Sequence, residues 1–153
     1  FLLGIIAAEH HNFGKAVEVI DRALALQPAK AEYLAQRGRC LIALHRPREA
    51  FEAAQKALDL EPSDALTLDT IGVVMTRAGA HAEAIVPFRR AVALDAGKPP
   101  YHYNLGASLQ FVGELKAAEA EYREALRLDP HRADVRNKRA AAMARAGGAP
   151  PPR

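Results

Sequence analysis

Tryptophan is absent from this sequence, and cysteine occurs once, at Cys40. One cysteine forms neither an intramolecular disulfide nor a thiolate metal cluster, so Cys40 reads as a small buried thiol in a reducing, cytoplasmic setting. Aromatic residues supply only 6% of the chain, and the abundance of alanine favours close helix contacts over a sandwich or barrel. A membrane-spanning helix needs ~20 apolar residues, whereas the opening run FLLGIIAA has eight. No basic segment precedes that run and no small-residue cleavage site follows it, which argues against a signal peptide. Glycine-rich phosphate loops, nucleophile elbows and paired-acid motifs are also missing. These absences leave no catalytic, metal or cofactor site to assign.

What the sequence does contain is a beat of 34 residues. Gly4, Gly38, Gly72 and Gly106 recur at that step. Ala16, Ala50, Ala84 and Ala118 keep the same step, as do Ala23, Ala57, Ala91 and Ala125. Leu26, Leu60, Leu94 and Leu128 make a fourth column, and Pro28, Pro62 and Pro130 a fifth, with Ala96 in the remaining proline slot. A fixed period of this length marks a repeat architecture. Inside each period the apolar residues follow helical spacing, and breaks fall at His11-Asn12, His45-Arg46, Gly79-Ala80 and Gly113-Glu114. Glycine, asparagine and histidine accept a left-handed helix end more readily than branched residues. Each period therefore predicts two antiparallel helices, the second stopped by a proline.

The predicted helices cover 1–10, 14–26, 31–44, 48–59, 65–78, 82–94, 100–112, 116–127 and 133–146. The glycine and alanine columns mark places where helix backbones approach too closely for larger side chains. A leucine at Gly72 is accordingly expected to be among the most damaging single changes. Because Phe1 already belongs to a helical pattern, the chain is expected to be a segment of a longer protein.

The stretch YNLGASLQFVGELKAAEAEYREALRLDP, Tyr103–Pro130, resembles a tetratricopeptide repeat, whose motif positions fall on Gly106, Ala118, Tyr122, Ala125 and Pro130. The resemblance covers residues 1–132 as four units, 1–30, 31–64, 65–98 and 99–132, the first lacking its opening residues. It implies an all-α, right-handed superhelical solenoid of about four helix-turn-helix repeats. Residues 133–146 would cap it, their Arg136, Lys138 and Arg139 giving a polar outer face beside Val135, Ala140 and Met143. The tail 147–153 is expected to be disordered. Leu34, Leu68 and His102 replace the family's early aromatic residue, Arg37 stands in a leucine position, and Pro87 inside a second helix predicts a kink.

The same resemblance implies that a protein or extended peptide lies along the first helix of each pair, on the concave face. Candidate contacts are Ile5, Glu9, Glu32, Ile42, Leu66, Asn137 and Arg145. The core of the set is Arg39, Asp69, Val73, Arg77, Tyr103, Gln110 and Phe111. Asp69, Val73 and Arg77 are four apart and share a helix face. Tyr103, Phe111, Arg39 and Arg77 are expected to carry most of the binding energy, with Asp69 holding the charge of Arg77 in place. A chaperone-tail carboxylate clamp is not expected, since its slots hold Phe1, Ile5, Gln36, Leu66 and Thr70. An asparagine ladder of the kind found in sugar-transferring enzymes is reduced to Asn104, with Gln36 and Thr70 below it.

His10-His11 is a turn pair rather than a zinc site, because His45 would stand a full repeat away and no other ligands converge. Glu52 with Lys56, and Glu119 with Arg123, read as helix-supporting pairs. The net charge is +3, but residues 131–153 carry +5 and the rest −2. That basic end reads first as a solvated last helix and second as a weak nucleic-acid contact. Another alternative is the repeat region of a larger bacterial enzyme, sulfotransferase-like or a glycosyltransferase. The first reading remains a non-enzymatic binding scaffold.

Overall fold

The computed structural model describes residues 12–147. The helix expected over 1–10, with Gly4, Ile5, Glu9 and the His10-His11 pair, lies outside them, as does the tail from 148. Among the described residues there are eight helices and no strand. In order they are α1 (Phe13–Leu26), α2 (Ala31–Ala43), α3 (Pro47–Asp59), α4 (Ala65–Arg77), α5 (His81–Leu94), α6 (Pro99–Val112), α7 (Leu115–Leu128) and α8 (Ala133–Arg145). They fall into two compact units, Phe1–Ala80 and His81–Arg153.

In the first unit α2 packs against α1, α3 and α4, and α3 also packs against α4. Asn12 caps α1 by accepting the Lys15 amide at 3.2 Å, and Asp64 caps α4 by accepting the Thr67 amide at 2.7 Å. Pro47 opens α3, where its missing N–H costs nothing. The buried face of α3 is Ala50, Ala53, Ala54 and Ala57. Such small residues let α2 come close: a Cβ on Gly38 would stand 3.3 Å from the Ala50 carbonyl oxygen and 2.9 Å from Val74 Cγ1. Arg37, in its leucine position, reaches back to α1, where its Nε donates to Asp21 Oδ1 at 2.6 Å. The thiol of Cys40 is buried, and burial pushes its pKa up against the opposing pull of Arg39.

The second unit repeats the scheme with different side chains. Here α6 packs against α5 and α7, and α8 against α7 and, less extensively, α6. A Cβ on Gly106 would lie 3.3 Å from the Ala118 carbonyl oxygen and 2.9 Å from the Tyr122 ring. His102 fills the aromatic slot as a buried polar anchor. Its Nδ1 stands 2.8 Å from Glu121 Oε2 on α7, and its Nε2 stands 3.0 Å from the Ala96 carbonyl oxygen. Pro87 is buried within α5, which runs through it from His81 to Leu94. On α8, Val135 and Ala142 are buried while Arg136 and Lys138 are exposed; Ala140 and Met143 are half-buried.

Two sequence columns have contrasting fates. The Ala16, Ala50, Ala84, Ala118 column is fully buried. The leucine column lies largely outside the core, with Leu26 85% and Leu94 54% exposed, because it sits at the last turn of the second helices.

His45, Gly79 and Gly113 occupy one column and all have positive φ, 57°, 92° and 90°. An L-residue pays about 1–2 kcal/mol to sit there, against glycine's ~0.5–1 kcal/mol in lost freedom. His45→Gly is thus expected to stabilise the protein by up to about 1 kcal/mol. A chemical-denaturation midpoint below that of the wild type would contradict this account of the turn.

Candidate functional site

Side-by-side packing of α2 and α4 leaves a recess of about 330 Å³ on the first unit. Its lining is Arg39, Ile42 and Ala43 from α2 with Val73, Val74 and Arg77 from α4. Each helix contributes residues three or four apart, the spacing that keeps side chains on one face. The recess therefore has aliphatic walls and two guanidinium groups. Three residues expected at the site, Arg39, Val73 and Arg77, are brought together here. Asp69 is half-buried on α4, two turns before Arg77.

Arg39 donates from Nη1 to the neutral Gln36 Oε1 at 2.8 Å. Neither Arg39 nor Arg77 reaches a carboxylate among the described residues, so Asp69 does not pair with Arg77 as expected. An interval of eight residues turns a helix ~80° beyond two full turns, which carries Asp69 off the face of Arg77. Leu66, by contrast, precedes Val73 by seven residues, shares its stripe and is 66% exposed.

In the second unit Tyr103, Gln110 and Phe111 all lie on α6 but serve different neighbours. The Tyr103 ring packs against Tyr122, centroids 6.0 Å apart, and the Arg132 guanidinium lies 5.3 Å from its centroid. Gln110 accepts the Tyr122 hydroxyl bond at 2.8 Å. Burial, helped by the neighbouring Tyr103, raises the pKa of that hydroxyl, which holds it as a donor. Phe111 stacks on His81 of α5 with centroids 3.6 Å apart, yet it remains 68% exposed. The same ~80° offset separates Tyr103 from Phe111, so the two rings meet different neighbours. His81 was invisible as the partner of Phe111 because nothing in the 34-residue beat links their positions. Ala43 and Val74 were likewise missed as walls, although helical spacing from Arg39 and Arg77 points to them.

The basic end is partly neutralised. Arg132 forms a two-point ion pair with Asp134, which holds that carboxyl down at about 2, and Arg139 meets Glu119 at 2.7 Å. Arg136 donates to the Pro130 carbonyl oxygen at 3.1 Å, while Lys138, Asn137 and Arg145 are exposed. Among the described residues no group of three or more His, Cys, Asp or Glu is arranged to hold a metal ion. No described helix is long and apolar enough to cross a membrane.

Comparison with known proteins is consistent with this helical-repeat architecture. The sequence model of the tetratricopeptide repeat matches residues 31–64 and 99–132. The chain is 37% identical over 89 residues to the TPR repeat-containing thioredoxin TTL4 of Arabidopsis thaliana, covering 58% of this chain and 13% of that protein. It is 28% identical over 136 residues to SPINDLY of Hordeum vulgare, described as a UDP-N-acetylglucosamine–peptide N-acetylglucosaminyltransferase, covering 82% of this chain and 14% of that protein. The chain thus spans about a seventh of the length of either relative. The crystal structure of YrrB, described as a TPR protein with an unusual peptide-binding site, superposes with a TM-score of 0.81 at 20% identity. That match covers 94% of this chain and 74% of YrrB, and it places the fold in the all-α solenoid class.

Proposed function

We propose that this chain, which belongs to the tetratricopeptide repeat family, is a scaffold module that holds a protein or extended peptide against its first helices. The observation that carries this reading is the recess between α2 and α4, lined by aliphatic walls and two arginines. Arg39, Val73 and Arg77 make direct contact with the partner, and Asp69 flanks them. Phe111 offers an exposed ring braced by His81, while Tyr103 and Gln110 act from beneath by fixing Tyr122. The repeats divide as 31–64, 65–98 and 99–132, with 133–146 as a cap. The segment itself is not catalytic and takes no cofactor, and a cytoplasmic setting suits its buried thiol.

A second reading, favoured by the SPINDLY match over most of the chain, makes this the partner-recruiting region of a longer enzyme. Both readings assign the same chemistry to the segment. Nucleic acid is a poorer partner, because Arg132 and Arg139 are held by carboxylates.

The test is an immobilised array of random peptides probed with the wild type and with Leu66→Asp, Val73→Asp and Val86→Asp. Val86 is exposed on α5 and serves as the control. Retained peptides should lose affinity by about tenfold or more with the α4 variants, more than 1 kcal/mol, and none with Val86→Asp. Leu66→Asp alters an exposed residue, so its effect is separable from unfolding. An array that retains nothing, or peptides indifferent to both α4 substitutions, would refute the scaffold reading.

A further inference from the structure

We infer that the recess between α2 and α4 selects an acidic side chain, and that the partner presents a glutamate there within an extended segment. This rests on the scaffold reading and adds the chemistry of what is held. The first observation is the composition of the wall: two arginines, four aliphatic residues and no acidic residue. The second is how arginines are used elsewhere in the protein. Seven of them, Arg37, Arg46, Arg89, Arg123, Arg127, Arg132 and Arg139, reach a carboxylate at 2.6 to 3.8 Å, whereas Arg22, Arg48, Arg136 and Arg145 stand exposed without one among the described residues. The two arginines of the recess belong to the second group but converge on one recess, and Arg39 donates only to the neutral amide oxygen of Gln36.

A guanidinium has five donors in a planar fork that matches a carboxylate, and such charge-assisted bonds are about twice as strong as neutral ones. Arg39 and Arg77 come from different helices and can address one carboxylate from two sides. Ile42 and Val73 beside them suit an aliphatic stem, which favours glutamate's two methylenes over aspartate's one.

The probe is a short fluorescein-labelled peptide alternating glutamate with leucine, compared by anisotropy with its glutamine–leucine counterpart. The variants are the double substitution Arg39→Gln, Arg77→Gln and a control double, Arg22→Gln, Arg48→Gln, at exposed sites of the same unit. The wild type should bind the glutamate peptide at least tenfold more tightly than the glutamine peptide. The recess double should abolish that preference and flatten its salt dependence, leave the glutamine peptide unchanged, and leave the melting temperature near that of the wild type. The control double should change neither affinity. Equal binding of both peptides would overturn the inference, as would equal losses from the two double variants or no binding of the glutamate peptide. If both peptides bind equally and Leu66→Asp releases both, the scaffold stands and only the acidic preference falls.

Discussion

Gly106→Leu should lower the melting temperature by roughly 10 °C, the consequence of a cost above ~3 kcal/mol in a chain of this length. Even the first added carbon has no room. A Cβ at Gly106 would stand 2.9 Å from Tyr122 Cδ1 and Cε1 and 3.3 Å from the Ala118 carbonyl oxygen. Tyr122 is fully buried and tethered through its hydroxyl, so its ring cannot swing aside cheaply. The remaining three carbons of leucine would have to push α6 from α7. Gly14 is the natural contrast, since a Cβ there meets nothing within 4 Å and the residue lies in a helix. Gly14→Ala should therefore stabilise by about 0.5–1 kcal/mol. Matching melts for Gly106→Leu and the wild type would show that the helices do not touch where the packing puts them.

The glycine column was readable because close packing leaves a periodic trace. Gly38 and Gly106 each sit twelve residues before an alanine whose carbonyl oxygen their missing Cβ would crowd. The turn column was readable too, since His45, Gly79 and Gly113 share one left-handed requirement. The same logic explains what stayed hidden. Contacts that differ from one repeat to the next leave no column. In the second unit the ring of Tyr122 lies over Gly106; in the first, the equivalent residue is Ala54, and Val74 comes up against Gly38 instead. A reader of the columns sees that both glycines are crowded, but not by what.

The candidate site divides along the same line. Helical spacing was sufficient to gather Arg39, Val73 and Arg77, because each helix shows the recess one continuous stripe. It does not serve Tyr103 and Phe111, eight residues apart on α6, because the residual ~80° sends the rings to different neighbours. Partnerships such as Arg37 with Asp21, His102 with Glu121 and Arg132 with Tyr103 depend on side-chain reach across helices. Composition and period carry no record of them.

Tyr122→Ala should cost about 3–5 kcal/mol, the range for removing a buried aromatic side chain. The ring is fully buried, with Gly106 beneath it and Tyr103 beside it, so its loss opens a cavity between α6 and α7. Tyr122→Phe isolates the hydroxyl: it removes only the 2.8 Å bond to Gln110, and the cost should be about 1 kcal/mol. The decisive measurement pairs ring and glycine in a double-mutant cycle. Gly106→Ala alone is strained by the ring, and Tyr122→Leu alone leaves part of the ring's volume empty. Together, the new methyl enters space that the ring has vacated. The double variant should thus be more stable than the sum of the single losses predicts, by at least about 1 kcal/mol, as expected for residues in direct contact. Distant, independent sites add to within ~0.5 kcal/mol. Simple additivity in urea unfolding would mean that Tyr122 does not set the space at Gly106, and the packing described for α6 and α7 would have to be abandoned.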